Sequence, residues 1–441
     1  MPLLLRDVEL EGRRVDLRID GGVVRDIAPP GVLPHGATEI DARGGAVLPG
    51  LVDHHIHLLA TAAARASVDL SEPGGLTRLA SAPGEGWLRA VGAGSELTRR
   101  DLAELGIDRP VRVQHRSGAL WTLNDAGIED LLTRGGASAL TRVEVSTGQL
   151  WRADDRLRSL LPPAAPPDLE GLGGDLLARG VTAVTDATPT TTPEVLDLFA
   201  DTLPQRVLSL ARAGSGPVKV VVPDHATPRL DDLVGTFAAA HRAGRGVAVH
   251  CVTQESLVLV AVALRTAGSV PGDRIEHAAV CDDDCAALLA DLGVVVVTQP
   301  SLVRRRGGDY LSACEPRDRP WLWRFAGLLA AGVPVALSSD APYGDLDPWR
   351  TIATAVDRTT ATGVVVGPAE AVPPRRALEA MLTPPEDPGG VPRSVREGVP
   401  ADLCLLEGSL ARALADPASV RVAATVLGGE VRFRRAVPGS A

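Results

Sequence analysis

Gly50-Leu51-Val52-Asp53-His54-His55-Ile56-His57 closes an apolar run, Ala46–Leu58, on a cluster of histidines. Read as a strand, the run alternates sides, so His55 and His57 share one face and His54 takes the other. Two imidazoles on one face can chelate a single metal, although a lone His-x-His pair is weak on its own. Seven further runs of the same apolar, β-branched kind follow: Val181–Asp186, Arg206–Leu210, Val218–Val222, Val247–Val252, Arg274–Val280, Val294–Gln299 and Val333–Ser338. Amphipathic helical stretches separate most of them, such as Leu230–Arg242, Glu255–Thr266 and Asp282–Leu292. Each of these three ends near a glycine suited to a helix C-cap: Gly244, Gly268 or Gly293. Eight strand–helix units in series predict an α/β fold, a (β/α)8 barrel of the TIM type with buried parallel strands.

The ends of the chain read differently. Leu3–Leu10, Arg14–Ile19 and Val23–Ile27 are short β segments, with Gly21-Gly22 as a hairpin-type turn. Ala401–Leu406, Val420–Val426 and Val431–Phe433 repeat that texture around Gly428-Gly429, after the Pro/Gly-rich passage Pro384–Pro392. We therefore expect residues 1-48 and 393-441 to form one small composite β-sandwich. Residues 49-392 would then be the barrel, with a long insertion at about 59-180 that holds helices and a strand near Val111–His115.

Composition narrows the partners. The 441 residues carry a formal net charge of −10 without a basic block, which argues against nucleic acid. No apolar run approaches the roughly 20 residues that span a bilayer. Five cysteines, an odd number without framework spacing, fit a reducing, cytoplasmic setting. A small-molecule substrate is expected, and a homo-oligomer is compatible with the sequence.

Lys219 is the only lysine among 45 basic side chains. Arginine replaces lysine as a surface cation but not where a neutral amine must react. Lys219 lies inside an apolar strand, where an unpaired ammonium is costly, so it must be paired, neutralised or modified. A neutral amine can add carbon dioxide to become a carbamate, an anion able to bridge two metals. His250 ends the fifth run, Glu276-His277 falls in the sixth, and Ser339-Asp340 follows the eighth. Two histidines, a lysine, two more histidines and an aspartate in that strand order are far more specific than any pair.

On the stretch Pro49–His57, on Val249-His250, Glu276-His277 and Ser339-Asp340, and on the β-rich ends, the sequence resembles the amidohydrolase superfamily over nearly its whole length. Within it, the sequence is similar to the branch of N-substituted formamide deformylases (amidohydrolase 3). That likeness rests on Gln114-His115, Asn124–Ile128, Thr298-Gln299-Pro300, Asp340-Ala341-Pro342 and Asp347-Pro348. Pro223-Asp224-His225-Ala226 departs from the Asp-Gly expected after the lysine. The resemblance implies that His55 and His57 hold the more buried metal. It implies that Lys219, as a carbamate formed with carbon dioxide, bridges to a second metal on His250 and His277. Asp340 would bind the first metal and shuttle the proton. The implied reaction is hydrolysis of an amide-type, non-peptide C–N bond of a small organic molecule by metal-activated water. Zinc is the first choice, with manganese, iron, cobalt or nickel also admitted by such ligands.

Other readings stand beside this one. Lys219 could be an ordinary ammonium paired with a carboxylate in a one-metal site, although Glu255 lies five residues after His250 rather than the three expected of a one-metal deaminase. The same machinery also serves a lactonase, esterase or deaminase, and a silent scaffold relative belongs to a different class. Tyr310 and Tyr343, within an aromatic-rich stretch that includes Trp321, Trp323, Phe325 and Trp349, are candidate substrate contacts, as is His115. His35, His54 and His241 read as structural or exposed, and His225 as a loop residue. Arg304-Arg305-Arg306 reads as a solvated loop, and Asp282–Asp284 as charge at a helix N-terminus.

Overall fold

The computed structural model describes residues 2–35, 38–94, 96–163, 166–223 and 226–436; His225 lies outside them. The chain divides into two compact units, Met1–Leu58 with Glu170–Ala441, and Leu59–Leu169.

The larger unit contains eight strands that pair in parallel within two sheets. They are β1 (Leu51–Ile56), β2 (Val181–Asp186), β3 (Arg206–Ser209), β4 (Val218–Val221), β5 (Val247–Cys251), β6 (Arg274–His277), β7 (Val295–Thr298) and β8 (Val335–Leu337). They pair as a three-stranded sheet, β3-β2-β1, and a five-stranded sheet, β4-β5-β6-β7-β8. All six residues of β1 and of β2 are buried, as expected of parallel strands covered on both faces. At one seam Lys219 N donates to Leu210 O at 2.7 Å. At the other, Asp340 N donates to His55 O at 2.8 Å and His57 N to Ala341 O at 3.0 Å. Helices Leu230–Arg242, Gln254–Ala267 and Asp283–Leu292 follow β4, β5 and β6. No helix joins β3 to β4, so the alternation is broken there. Asp282 caps the helix after β6 by accepting from Cys285 N at 2.7 Å, and Gly293 ends it in the left-handed conformation at φ 66°.

Two antiparallel-rich sheets of four strands complete this unit. One has the order Val23–Ala28, Arg13–Asp20, Leu3–Leu10, Thr38–Asp41; the other runs Glu430–Arg434, Val422–Leu427, Leu403–Leu406, Val47–Pro49. Leu5, Leu17 and Val24 of the first share one apolar core with Leu403, Leu405 and Val426 of the second.

The smaller unit differs from the expectation of helices and one strand. It holds a five-stranded sheet in the order Gln149–Trp151, Leu120–Leu123, Val111–His115, Leu88–Ala93, Val68–Asp69. Val111–His115 is the expected strand; the other four lack the β-branched apolar runs that mark β1–β8, so they escape pattern reading. Arg304–Arg306 is a second correction. The triplet lies in the helix Pro300–Ala313, and Arg305 caps the backbone by donating to Pro342 O at 3.2 Å and Gly344 O at 3.0 Å. No described helix is long and apolar enough to cross a membrane.

Candidate metal centre

His55 and His57, at the end of β1, meet Asp340 in the turn after β8, with one ligand atom of each within 4.8 Å of the others. Asp340 Oδ1 stands 3.5 Å from His55 Nε2 and 3.4 Å from His57 Nε2. It is a buried oxygen without a hydrogen-bond partner. Ligand atoms around a tetrahedral metal with bonds of about 2.0–2.1 Å lie about 3.4 Å apart. The spacing and the orphaned oxygen therefore suit a metal ion between these three side chains.

The orientation of the imidazoles supports the same fit. His55 Nδ1 makes a short hydrogen bond to Glu276, so its Nε2 carries the free lone pair. Thr188 Oγ1 donates to Asp186 at 3.1 Å and accepts from His57 Nδ1 at 3.2 Å. His277 Nδ1 donates to Gln299 Oε1 at 2.8 Å, and Gln299 is itself fixed by bonds to Val297 O and Ser338 Oγ. Three rings thus have Nδ1 anchored and Nε2 available, the arrangement that ligating histidines adopt. The His277 ring lies 4.9 Å from that of His55 and 4.5 Å from that of His250. Lys219 Nζ is 3.5 Å from His55 Nε2, and it forms no ion pair with a carboxylate among the described residues.

The electrostatics follow from burial opposed by charge. Burial, reinforced by Lys219, lowers the pKa of His55 to about 4, which keeps the ring neutral. Burial, then His250, lowers His277 in the same way. Burial also lowers Lys219, against the pull of Glu276 and Asp340, and so favours the neutral amine. Burial would raise Glu276 and Asp340. Arg274 and His55 overcome it at Glu276, and His57, His55 and His277 overcome it at Asp340, so both carboxylates are held well below their usual range.

The turns at two of these residues carry backbone strain: His277, Ala278 and Asp340 have φ of 75°, 49° and 52°, where only glycine is comfortable. Asp53 braces the last of these by accepting from Ser339 N at 3.0 Å and His55 N at 3.2 Å.

The structure gathers His55, His57, Lys219, His250, His277 and Asp340, and sets aromatic rings beside them. Tyr343 lies 5.6 Å from His57, Trp323 lies 6.3 Å from His277, and Tyr310 packs on Trp323 at 5.5 Å. His115 belongs to the Leu59–Leu169 unit, where its Nδ1 engages Ser117 Oγ at 2.7 Å. His54 is buried against Thr383 Oγ1 at 3.0 Å, and His241 bonds Asp273 at 3.0 Å. Sequence reasoning missed Thr188, Asp186, Arg274, Gln299 and the role of Glu276. A charged Arg-x-Glu inside an apolar strand was the one available signal, since a fully buried carboxylate must have partners.

A model of the amidohydrolase family matches residues 38–433. An N-substituted formamide deformylase of Arthrobacter pascens is 30% identical over 167 residues, 37% of this chain and 31% of that protein. The match thus spans under a third of the relative's length. Two solved structures share the fold, both described as uncharacterised metal-dependent hydrolases. That of Pyrococcus horikoshii has a TM-score of 0.74 at 19% identity, covering 98% of this chain and 100% of that one. That of Pyrococcus furiosus has a TM-score of 0.70 at 21% identity, covering 92% and 99%. The family match covers nearly the whole chain, including all six residues of the candidate centre, and on that ground the chain belongs to the amidohydrolase family.

Proposed function

We propose that the chain is a metal-dependent hydrolase that cleaves a carbon–nitrogen bond, other than a peptide bond, in a small organic molecule. The observation that carries this reading is the set of anchored imidazoles whose Nε2 atoms gather with the orphaned Asp340 oxygen at metal-ligand spacing. We read β1–β8 as one (β/α)8 barrel within residues 49-392, and the two terminal sheets as a small β-sandwich. The hydrogen bonds at both seams support the first and the shared apolar core supports the second. In such a barrel the chemistry lies beyond the C-terminal strand ends.

Two metals fit the reading, zinc first, with manganese, iron, cobalt or nickel as further candidates. His55, His57 and Asp340 would hold one, and His250 and His277 the other. Lys219 would bridge them once its neutral amine has added carbon dioxide: the N–C bond forms, one amine proton leaves, and the product is a carbamate anion. Burial of Lys219 and its position beside His55 Nε2 favour that modification over an ion-paired ammonium. A bound divalent metal makes water more acidic and polarises a carbonyl. Asp340 takes the proton of the attacking water and returns it to the leaving amine. Tyr343 and Tyr310, with Trp323, offer an apolar wall to the rest of the substrate.

The test is metal content per chain, by elemental analysis of protein made with zinc and purified without chelator, for the native chain and Lys219→Arg. About two metals falling to one or none in the variant supports the bridged site. One metal in both makes Lys219 an ammonium and moves the search to deaminases. No metal in either overturns the hydrolase. A screen of amides against lactones then separates the two hydrolytic chemistries.

A further inference from the structure

The aromatic wall beside the histidines is edged by a guanidinium with an unmet donor. Tyr310, Trp323 and Tyr343 belong to a single apolar cluster with Val303. Its rings meet two of the gathered histidines, Tyr343 at His57 and Trp323 at His277. The helix Pro300–Ala313 supplies Tyr310 and runs beside the turn that holds Asp340. Ser301 Oγ donates to Ser339 O at 3.3 Å, and Arg305 binds the carbonyls of Pro342 and Gly344. Val303, Arg306 and Tyr310 follow at spacings of three and four residues, which places them on one face of that helix. The Arg306 guanidinium accordingly lies over the Tyr310 ring, 5.1 Å from its centre. Burial pushes the Tyr310 hydroxyl up to about 12, with Arg306 opposing and Asp340 adding to the rise, so both charges bear on that ring.

Arg306 is poorly satisfied. Its side chain is 21% exposed, yet its Nε is buried without a hydrogen-bond partner. The carboxylate it faces, Asp309, stands 4.0 Å away, too far for a hydrogen bond. An aromatic face attracts the charge but leaves an in-plane N–H unmet. A buried charged donor is costly in that state, and an anion completes it. The planar fork of a guanidinium matches a carboxylate through two parallel bonds. Arg305 is already occupied by backbone carbonyls, so the wall offers one monovalent cation, which suits a carboxylate better than a phosphate dianion.

We propose that Arg306 is a specificity-determining residue that receives a carboxylate of the substrate, so that the enzyme takes small amides carrying an acid group away from the scissile bond. The inference rests on the hydrolase reading above and adds a substrate class to it.

Three achiral acids test it: N-acetylglycine, N-acetyl-β-alanine and N-acetyl-γ-aminobutyrate set the carboxylate at increasing distance from the amide. Each is compared with the neutral amide that lacks the carboxylate, N-methylacetamide, N-ethylacetamide or N-propylacetamide. In the native chain, kcat/KM for the acid of best-fitting length should exceed that of its neutral partner by about 10–100-fold. That ratio should fall to about one in Arg306→Met and keep an intermediate value in Arg306→Lys, which retains the charge without the fork. Both substrates meet the same protein sample, so partial misfolding or metal loss cancels from the ratio. A native ratio near one at every length overturns the proposal. So does a ratio that survives in Arg306→Met, because the carboxylate would then be held elsewhere, on a metal included. Hydrolysis of neither series counts against the hydrolase reading, and the same pairs are then compared by calorimetric binding. The Arg306 site stands if an acid binds the native chain at least about tenfold tighter than its partner and Arg306→Met removes that advantage; it falls otherwise.

Discussion

Replacing Arg358 with methionine should release the segment Leu322–Trp323 at a cost of about 3 kcal/mol. Arg358 is fully buried. Its Nη1 and Nη2 donate to Trp323 O and Leu322 O at 2.8 Å each, and its Nε donates to Val366 O at 3.0 Å. Hydrogen bonds from a charged donor contribute about 1.5–3 kcal/mol each, so three come to roughly 5–9 kcal/mol. Against this, burial pulls the guanidinium pKa from 12.5 to about 10, a penalty near 3 kcal/mol that methionine recovers. The hydrogen bonds win, by roughly 2–6 kcal/mol. The loss falls on a strained site, since Trp323 holds φ at 51° beside His277, with its amide on Ala279 O at 2.8 Å. Hydrogen exchange followed by mass spectrometry on peptides covering 322–323 reads it directly. A loss of about 3 kcal/mol means exchange about a hundredfold faster at the Trp323 amide. Exchange as slow as in the native protein would refute the reasoning, because it would mean that burying the guanidinium cancels all three bonds.

Asp340→Asn should leave the fold intact and lower turnover of a hydrolysed amide by about 10²–10⁴-fold; native turnover would remove the aspartate from proton transfer. Dialysis against a chelator should lower the melting temperature, and zinc at about a hundredfold over its dissociation constant should restore about 3 kcal/mol. An identical melting curve with and without chelator would deny a metal-linked fold. Asp273→Ala orphans Val247 N and Val270 N, which now donate to its carboxylate at 2.8 and 2.9 Å, and it strips His241 of its partner. A destabilisation of about 2–5 kcal/mol is expected in urea, with metal content unchanged.

What could be read from the sequence was what repeats along it or stands out against it. The apolar strands β1–β8 announced themselves through β-branched runs, and the candidate metal-binding residues through polar side chains in or just after five of them. Lys219 was conspicuous because each of the other Lys/Arg side chains is arginine. The supporting residues were hidden for a topological reason. Glu276 and His55 are 221 positions apart, and His57 and Thr188 are 131 apart, so their pairing exists only once the strands are laid side by side. The sheet of the Leu59–Leu169 unit was missed beyond Val111–His115 because its other four strands carry no β-branched apolar run. Arg304–Arg306 misled because three adjacent charges look solvated, whereas a helix spreads them around its axis and turns Arg305 onto the carbonyls of Pro342 and Gly344.

A chain with one lysine, 8% exposed, has an outer surface without lysine ammonium groups. Amine-selective labels and crosslinkers would find no lysine foothold there, only one side-chain amine sunk among the histidines. Arginines carry the positive charge of that surface, and such reagents pass them by. Mild acylation thereby becomes a chemical probe of the interior: covalent mass gained beyond a single terminal adduct would count reagent that had reached the centre.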